Sequence, residues 1–124
     1  MASLNENALT LLGSATVNLQ NGDAKSTVYT VPVGKTMIPV CVVIRSPSGS
    51  LAGGTDFDIG SGASADTWKQ TNNLAALTAT TDYKVITDST KYTMEVAGAV
   101  FGILPVTGAT ADVTATMELF GYLF

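Results

Sequence analysis

The C-terminal stretch ADVTATMELFGYLF alternates with a strict period of two. Ala111, Val113, Ala115, Met117, Leu119, Gly121 and Leu123 fall on one side, and Asp112, Thr114, Thr116 and Glu118 on the other. Successive side chains of a strand point to opposite faces, so this segment is a β-strand with one face in a core. Its polar face then changes character, because Phe120, Tyr122 and Phe124 continue it. Three aromatics on an otherwise polar face are costly to leave wet, so another layer or a partner is expected over them. They are the foremost interface candidates.

The same period runs through LTLLGSATVNLQ, where Leu9, Leu11, Gly13, Ala15, Val17 and Leu19 oppose Thr10, Leu12, Ser14, Thr16, Asn18 and Gln20. Asn21-Gly22-Asp23 follows, and Asn-Gly is the preferred pair of a tight hairpin, so the chain is expected to fold back on KSTVYTV. TMIPVCVVIRS is apolar on both faces, with Met37, Cys41 and Val43 on one and Ile38, Val40, Val42 and Ile44 on the other. Such a strand is covered twice. Pro39 cannot donate to a ladder and marks an edge or a bulge, so an edge strand buried by a partner satisfies both facts, and Pro39 joins the interface candidates. Shorter strands are expected over residues 55–59, 67–69, 83–87, 92–97 and 100–104, joined by Gly-, Ser-, Asn- and Pro-rich loops, with one short helical turn in NNLAALTAT. The expectation is an all-β, antiparallel β-sandwich of about eight strands, jelly-roll-like, spanning residues 9–124 as a single domain behind a polar N-terminal arm at 1–8.

A chain of 124 residues can build a core without disulfide or metal staples. Charged residues make up 13%, about half the share usual in soluble proteins, against 46% hydrophobic residues. A surface that neutral favours association, which points to a subunit of an oligomer or of a larger particle. The net charge is −4, and Lys25, Lys35, Arg45, Lys69, Lys84 and Lys91 are scattered, so no nucleic-acid partner is expected. The lone Cys41, flanked by Val40 and Val42, reads as an inert core thiol. The N-terminal MASLNENALTLLG lacks a basic region, and no apolar run reaches the ~18 residues of a membrane span, so neither a secretory signal nor a membrane partner is expected.

Chemistry-bearing motifs are few. GTDFDIGSG sets Asp56 and Asp58 two residues apart before glycines, as calcium loops do, but the twelfth position from Asp56 is Thr67, not the acid an EF-hand requires. As a strand it packs Phe57 and Ile59 and turns both carboxylates to water. Asp56, Asp58 and Asp66 remain weak metal candidates, and the net expectation is no metal and no cofactor. VPVGKT ends like a phosphate-binding loop, but Tyr29 stands where that loop needs its first glycine, so Pro32 and Gly34 read as a turn between strands. The absence of histidine rules out Ser-His-Asp and Cys-His triads, and no Gly-x-Ser-x-Gly elbow occurs. A carboxylate pair for glycoside hydrolysis would have to come from Glu95, Glu118, Asp82 or Asp88, which the sequence does not bring together. No enzyme is expected. Trp68 in ADTWKQTNN is read as a core or interface anchor, with stacking on a sugar ring as the alternative.

TVPVGKTMIPVCVVIRSPSGSLAGGTDFDIGSGASADTWKQ, together with TGATADVTATMELFGYLF, resembles small phage and prophage virion proteins of β-sandwich fold, over about Thr30 to Phe124. The strand, Val-Pro-x-Gly-Lys turn and strand recur in many viral β-proteins, and SLAGGTDFDIGSG is more particular. The resemblance implies a structural subunit of the capsid decoration (cement) type, placed on the outside of the phage head, with the major capsid protein as partner and a homotrimer as the favoured assembly. It brings no catalytic residues. The alternative it leaves is a head-fibre or tail-associated sandwich that binds a host glycan through Trp68 and the loops around Asp56 to Asp66.

Overall fold

A computed structural model describes residues 9–87, 89 and 91–124. The N-terminal arm expected at 1–8, and Asp88, lie outside the described residues. Eight strands form: β1 (Thr10–Asn18), β2 (Ser26–Thr30), β3 (Met37–Arg45), β4 (Asp56–Gly60), β5 (Lys69–Asn72), β6 (Tyr83–Ile86), β7 (Val100–Thr107) and β8 (Thr114–Leu123). They make two four-stranded antiparallel sheets, ordered β1-β8-β3-β6 and β2-β7-β4-β5. The pairing is nested: first with last, second with seventh, third with sixth, fourth with fifth. The chain is one long hairpin with β4 and β5 at its tip, wound so that its arms pass from sheet to sheet. The expected all-β sandwich is therefore present.

One core lies between the sheets. Val17, Met37, Val42, Ile44, Met117 and Leu119 enter it from the first sheet, and Val28, Phe57, Ile59, Phe101 and Ile103 from the second. β8 delivers the face its alternation predicts, with Ala115, Met117, Leu119 and Gly121 buried between partly covered neighbours. β4 does the same with Phe57 and Ile59.

Two predicted faces are overturned by bulges. In β1 the pairing with β8 slips between Leu11 and Gly13, so Leu12 packs against the core while Leu9 and Leu11 stay exposed. In β3 it slips between Pro39 and Cys41, which puts Met37 on the same side as Val42 and Ile44, and Ile38 with Cys41 and Val43. An extra residue inverts the alternation beyond it, because the side-chain period is two.

The hairpin expected between β1 and β2 does not form either, since these strands lie in different sheets. Asp23 N–H does donate to the Gln20 carbonyl at 3.0 Å across Asn21-Gly22. Gly22 has φ of 90° but Asn21 is not in the positive region, so this is not the turn with two positive φ angles that continues a twisted hairpin. Asn21 is tied instead to the β7–β8 loop, donating its N–H to the Ala109 carbonyl and accepting Gly108 N–H on Oδ1. The sheets close on each other here: a Cβ on Gly13 of β1 would sit 2.5 Å from the Val28 carbonyl oxygen of β2. The strand expected over 92–97 is reduced to a single bridge between Glu95 and Met37, and the helical turn near Leu74 is a turn closed by Leu77 N–H on the Leu74 carbonyl.

Candidate functional site

The surface that stands out is the outer face of the first sheet. Residues directly opposite in an antiparallel pair share a face, so the register assembles it from all four strands. Leu11 of β1 lies beside Phe120 of β8, which lies beside Cys41 of β3; Ile38 lies beside Tyr122, and Val43 beside Val85 of β6. Phe124 extends the row, paired with Thr36 through two backbone hydrogen bonds, and its ring lies 6.5 Å from that of Tyr122. No strand of the described residues packs over these side chains. Phe120, Tyr122, Cys41 and Val43 are half-buried, while Leu11 and Val85 are each 47% exposed and Phe124 52%. The predicted aromatic trio is thus a connected row on an apolar sheet face.

Charge on this face is confined to one pair. Arg45 Nε donates to Glu118 Oε1 at 2.8 Å; Arg45 closes β3, while Glu118 stands mid-strand in β8, directly opposite Val43. Lys84 of β6 turns away, to the Asn73 carbonyl. Burial raises the pKa of the Cys41 thiol, so Cys41 contributes an apolar, unreactive patch.

The other two interface candidates are spent inside the chain. Trp68 is 3% exposed; its ring meets Phe101 edge-on at 6.2 Å, and its indole N–H donates to the Pro39 carbonyl at 3.2 Å. Pro39 is itself buried and lies at the bulge of an interior strand, beyond the reach of β6, rather than on a strand at the sheet edge. Both are core residues that pin one sheet to the other. A cavity of about 290 Å³ adjoins them, lined chiefly by Ile38, Val40, Tyr92 and Met94.

The outer face of the second sheet carries two aspartates, beside Leu104 and Val106 of β7. Asp56 and Asp58 do project from β4 opposite Phe57 and Ile59, but they are shielded rather than turned to water. Asp58 is 9% exposed and accepts Thr71 N–H at 3.0 Å; one oxygen of Asp56 is buried without a partner. Burial first, then the neighbouring Asp58 charge and a hydrogen bond with it, raises the Asp56 pKa. Among the described residues no three acidic, cysteine or histidine side chains converge, so Asp66 does not join the pair.

One cluster escaped the sequence reading. Glu95 is 5% exposed and accepts Ser61 Oγ at 2.8 Å and Thr67 Oγ1 at 2.6 Å, while Ser61 N–H donates back to Thr67 Oγ1 at 2.8 Å. Lys25 reaches across to the carbonyls of Gly62 and Val100, and its pKa is lowered by burial and raised in part by Glu95. This cluster ties the β4–β5 loop to the β6–β7 segment. Only an acid set between apolar Met94 and Val96 hints at it, and nothing local pairs it with a serine so distant in sequence.

VPVGKT forms the turn expected of it, with Lys35 N–H on the Pro32 carbonyl and Gly34 at φ of 76°. No family model, curated protein or solved structure matches this chain.

Proposed function

We propose that this chain is a structural virion subunit of the capsid decoration type, which adds to the outside of a phage head and stabilises it by burying surface against its own copies and against the shell. One observation carries the reading: besides the apolar inner face that enters the core, the first sheet carries on its outer face a connected apolar row, from Leu11, Phe120 and Tyr122 to Cys41, Val43 and Val85, over which no strand of the described residues packs. A solitary fold gains nothing from Leu11, Val85 and Phe124 in water, whereas an assembly gains from each at roughly 25 cal/mol per Å² removed from solvent. Two further features support it. The nested strand pairing is consistent with the winding of a jelly roll, an architecture that recurs in viral capsid and lectin domains. The described residues offer tight turns and buried polar ties rather than a cleft with converging reactive groups.

The same architecture serves glycan-binding modules, but Trp68, which would have to stack on a sugar, is buried under the protein's own side chains. Decoration of the major capsid protein, with trimers as the favoured assembly, follows from the family resemblance. The test is addition of the purified protein to expanded empty heads that lack it. The proposal expects saturable, stoichiometric binding and a raised capsid melting temperature. No binding to heads, together with retention on a glycan array, would reverse it.

A further inference from the structure

We infer that the outer face of the first sheet is covered by the same face of a second copy of this chain. The inference rests on the reading of the protein as an assembly subunit and names the surface and the occupant. Three observations select a second copy.

The first is charge. Two chains that each carry −4 repel unless the faces brought together are neutral. On the outer face of the first sheet the charged side chains of the strands are Arg45 and Glu118, which already pair with each other. The outer face of the second sheet would instead bring Asp56 and Asp58 against their own copies. The face with the apolar row is also the face on which like chains can meet.

The second is shape and size. Four strands at about 4.8 Å spacing, the longest ten residues at about 3.4 Å each, present a face roughly 19 Å by 30 Å. Its projected area is on the order of 500 Å², and the accessible area is larger because the side chains stand above the sheet. A standard interface buries about 800 Å² per partner. The face is of the size a stable pair requires.

The third is composition. One part of the face holds Phe120, Tyr122, Cys41 and Val43, with Leu11 and Val85 to either side, and it is bordered by the ion pair and by Ser14, Thr16 and Thr116. An aromatic and aliphatic patch with a polar border is the anatomy of a protein–protein interface. Two identical faces related by a two-fold axis meet each other's centres, which is the commonest closed arrangement of a homo-oligomer.

The test uses the full chain in solution. Mass is followed by sedimentation equilibrium over a wide concentration range, with Val85→Asp and Phe120→Asp on the face and Val106→Asp on the outer side of the second sheet as control. Val85 and Val106 are similarly exposed, at 47% and 50%, so their substitution leaves the core intact. The expected result is a species of twice 12.7 kDa, a pair in place of the trimer that the family resemblance implies. Val85→Asp and Phe120→Asp weaken it at least tenfold, and Val106→Asp leaves it unchanged. Labelling of Cys41 by a thiol reagent, run at alkaline pH because the thiol pKa is raised, slows as wild-type concentration rises and does not slow for Val85→Asp, which reports the face independently of mass. A monomer at several hundred micromolar overturns the inference, as does a pair unaffected by both face variants. A trimer also overturns it, yet leaves the decoration reading standing, because that reading is judged by binding to heads.

Discussion

Glu95 offers the sharpest test of how the loops are held. Its two carboxylate oxygens each take a hydroxyl proton, from Ser61 at 2.8 Å and Thr67 at 2.6 Å, so both hydroxyls are committed as donors. The Ser61 N–H then donates to Thr67 Oγ1, completing a chain that ends on the carboxylate. Glu95→Gln keeps the volume but replaces one acceptor by an NH₂ donor. One hydroxyl must rotate away, and the remaining bond loses its charge. A hydrogen bond to a charged group contributes about 1.5–3 kcal/mol, and a buried donor left unpaired costs about 1–3 kcal/mol. Some relaxation is available because Lys25 and the loop backbone lie close by, so the expected loss is about 2 kcal/mol. For a domain of this size that is a fall of roughly 6–12 °C in Tm. Chemical denaturation of wild type, Glu95→Gln, Thr67→Val and the double variant measures both the loss and its origin. The single variants are expected to overlap, with a coupling of at least about 0.5 kcal/mol in the cycle. A Glu95→Gln protein within about 0.5 kcal/mol of wild type, the range of ordinary surface changes, would refute the network as a stabilising element.

Three other outcomes follow from the geometry. The Asp56 carboxyl has a folded-state pKa raised above its ordinary 3.8, so the native state holds more protons than the unfolded chain between the two values; stability is greatest below 3.8 and falls as pH rises through the folded value. Asp56→Asn is expected to flatten that fall in denaturation curves taken across mild acid. Trp68→Ala should cost about 3–5 kcal/mol as a large core truncation, and Trp68→Phe about 1–2 kcal/mol, chiefly the lost bond to the Pro39 carbonyl; urea titrations rank them, and equal losses would show that the indole N–H adds nothing. Gly13→Ala forces a methyl to within 2.5 Å of the Val28 carbonyl where the two sheets close, so a loss of about 1–3 kcal/mol is expected by thermal unfolding.

What the sequence disclosed, and what it hid, divides along one physical line. Alternation in β8 and β4 named their buried residues because both strands bury one face regularly over the stretch that matters. The same logic misassigned Leu11, Leu12, Cys41 and Met37, since a bulge reverses the faces and leaves no mark in a run where most residues are apolar. Asn21-Gly22 announced a turn correctly, but a turn fixes only local geometry, and the partner of β1 is β8, at the far end of the chain. Long-range pairing also explains why Glu95, Ser61 and Thr67 went unnoticed and why Trp68 could not be placed as core until Pro39 was beside it.

The aromatic row was legible for the opposite reason. It depends on one strand alone, and any sandwich that buries Met117 and Leu119 must turn Phe120 and Tyr122 outward. The sequence could not say whether another layer of the same chain covers them, and the bulge in β3 deepens the question by adding Ile38, Cys41 and Val43 to that side. Both faces of this run are apolar, so the outer face would be apolar with or without the slip; the slip decides which residues stand on it. Val40 is the residue left out of the pairing, so deleting it keeps Ile38 opposite Tyr122 and Cys41 opposite Phe120. The deletion variant is expected to fold with the apolar row intact, and a variant that no longer unfolds cooperatively would count against this register.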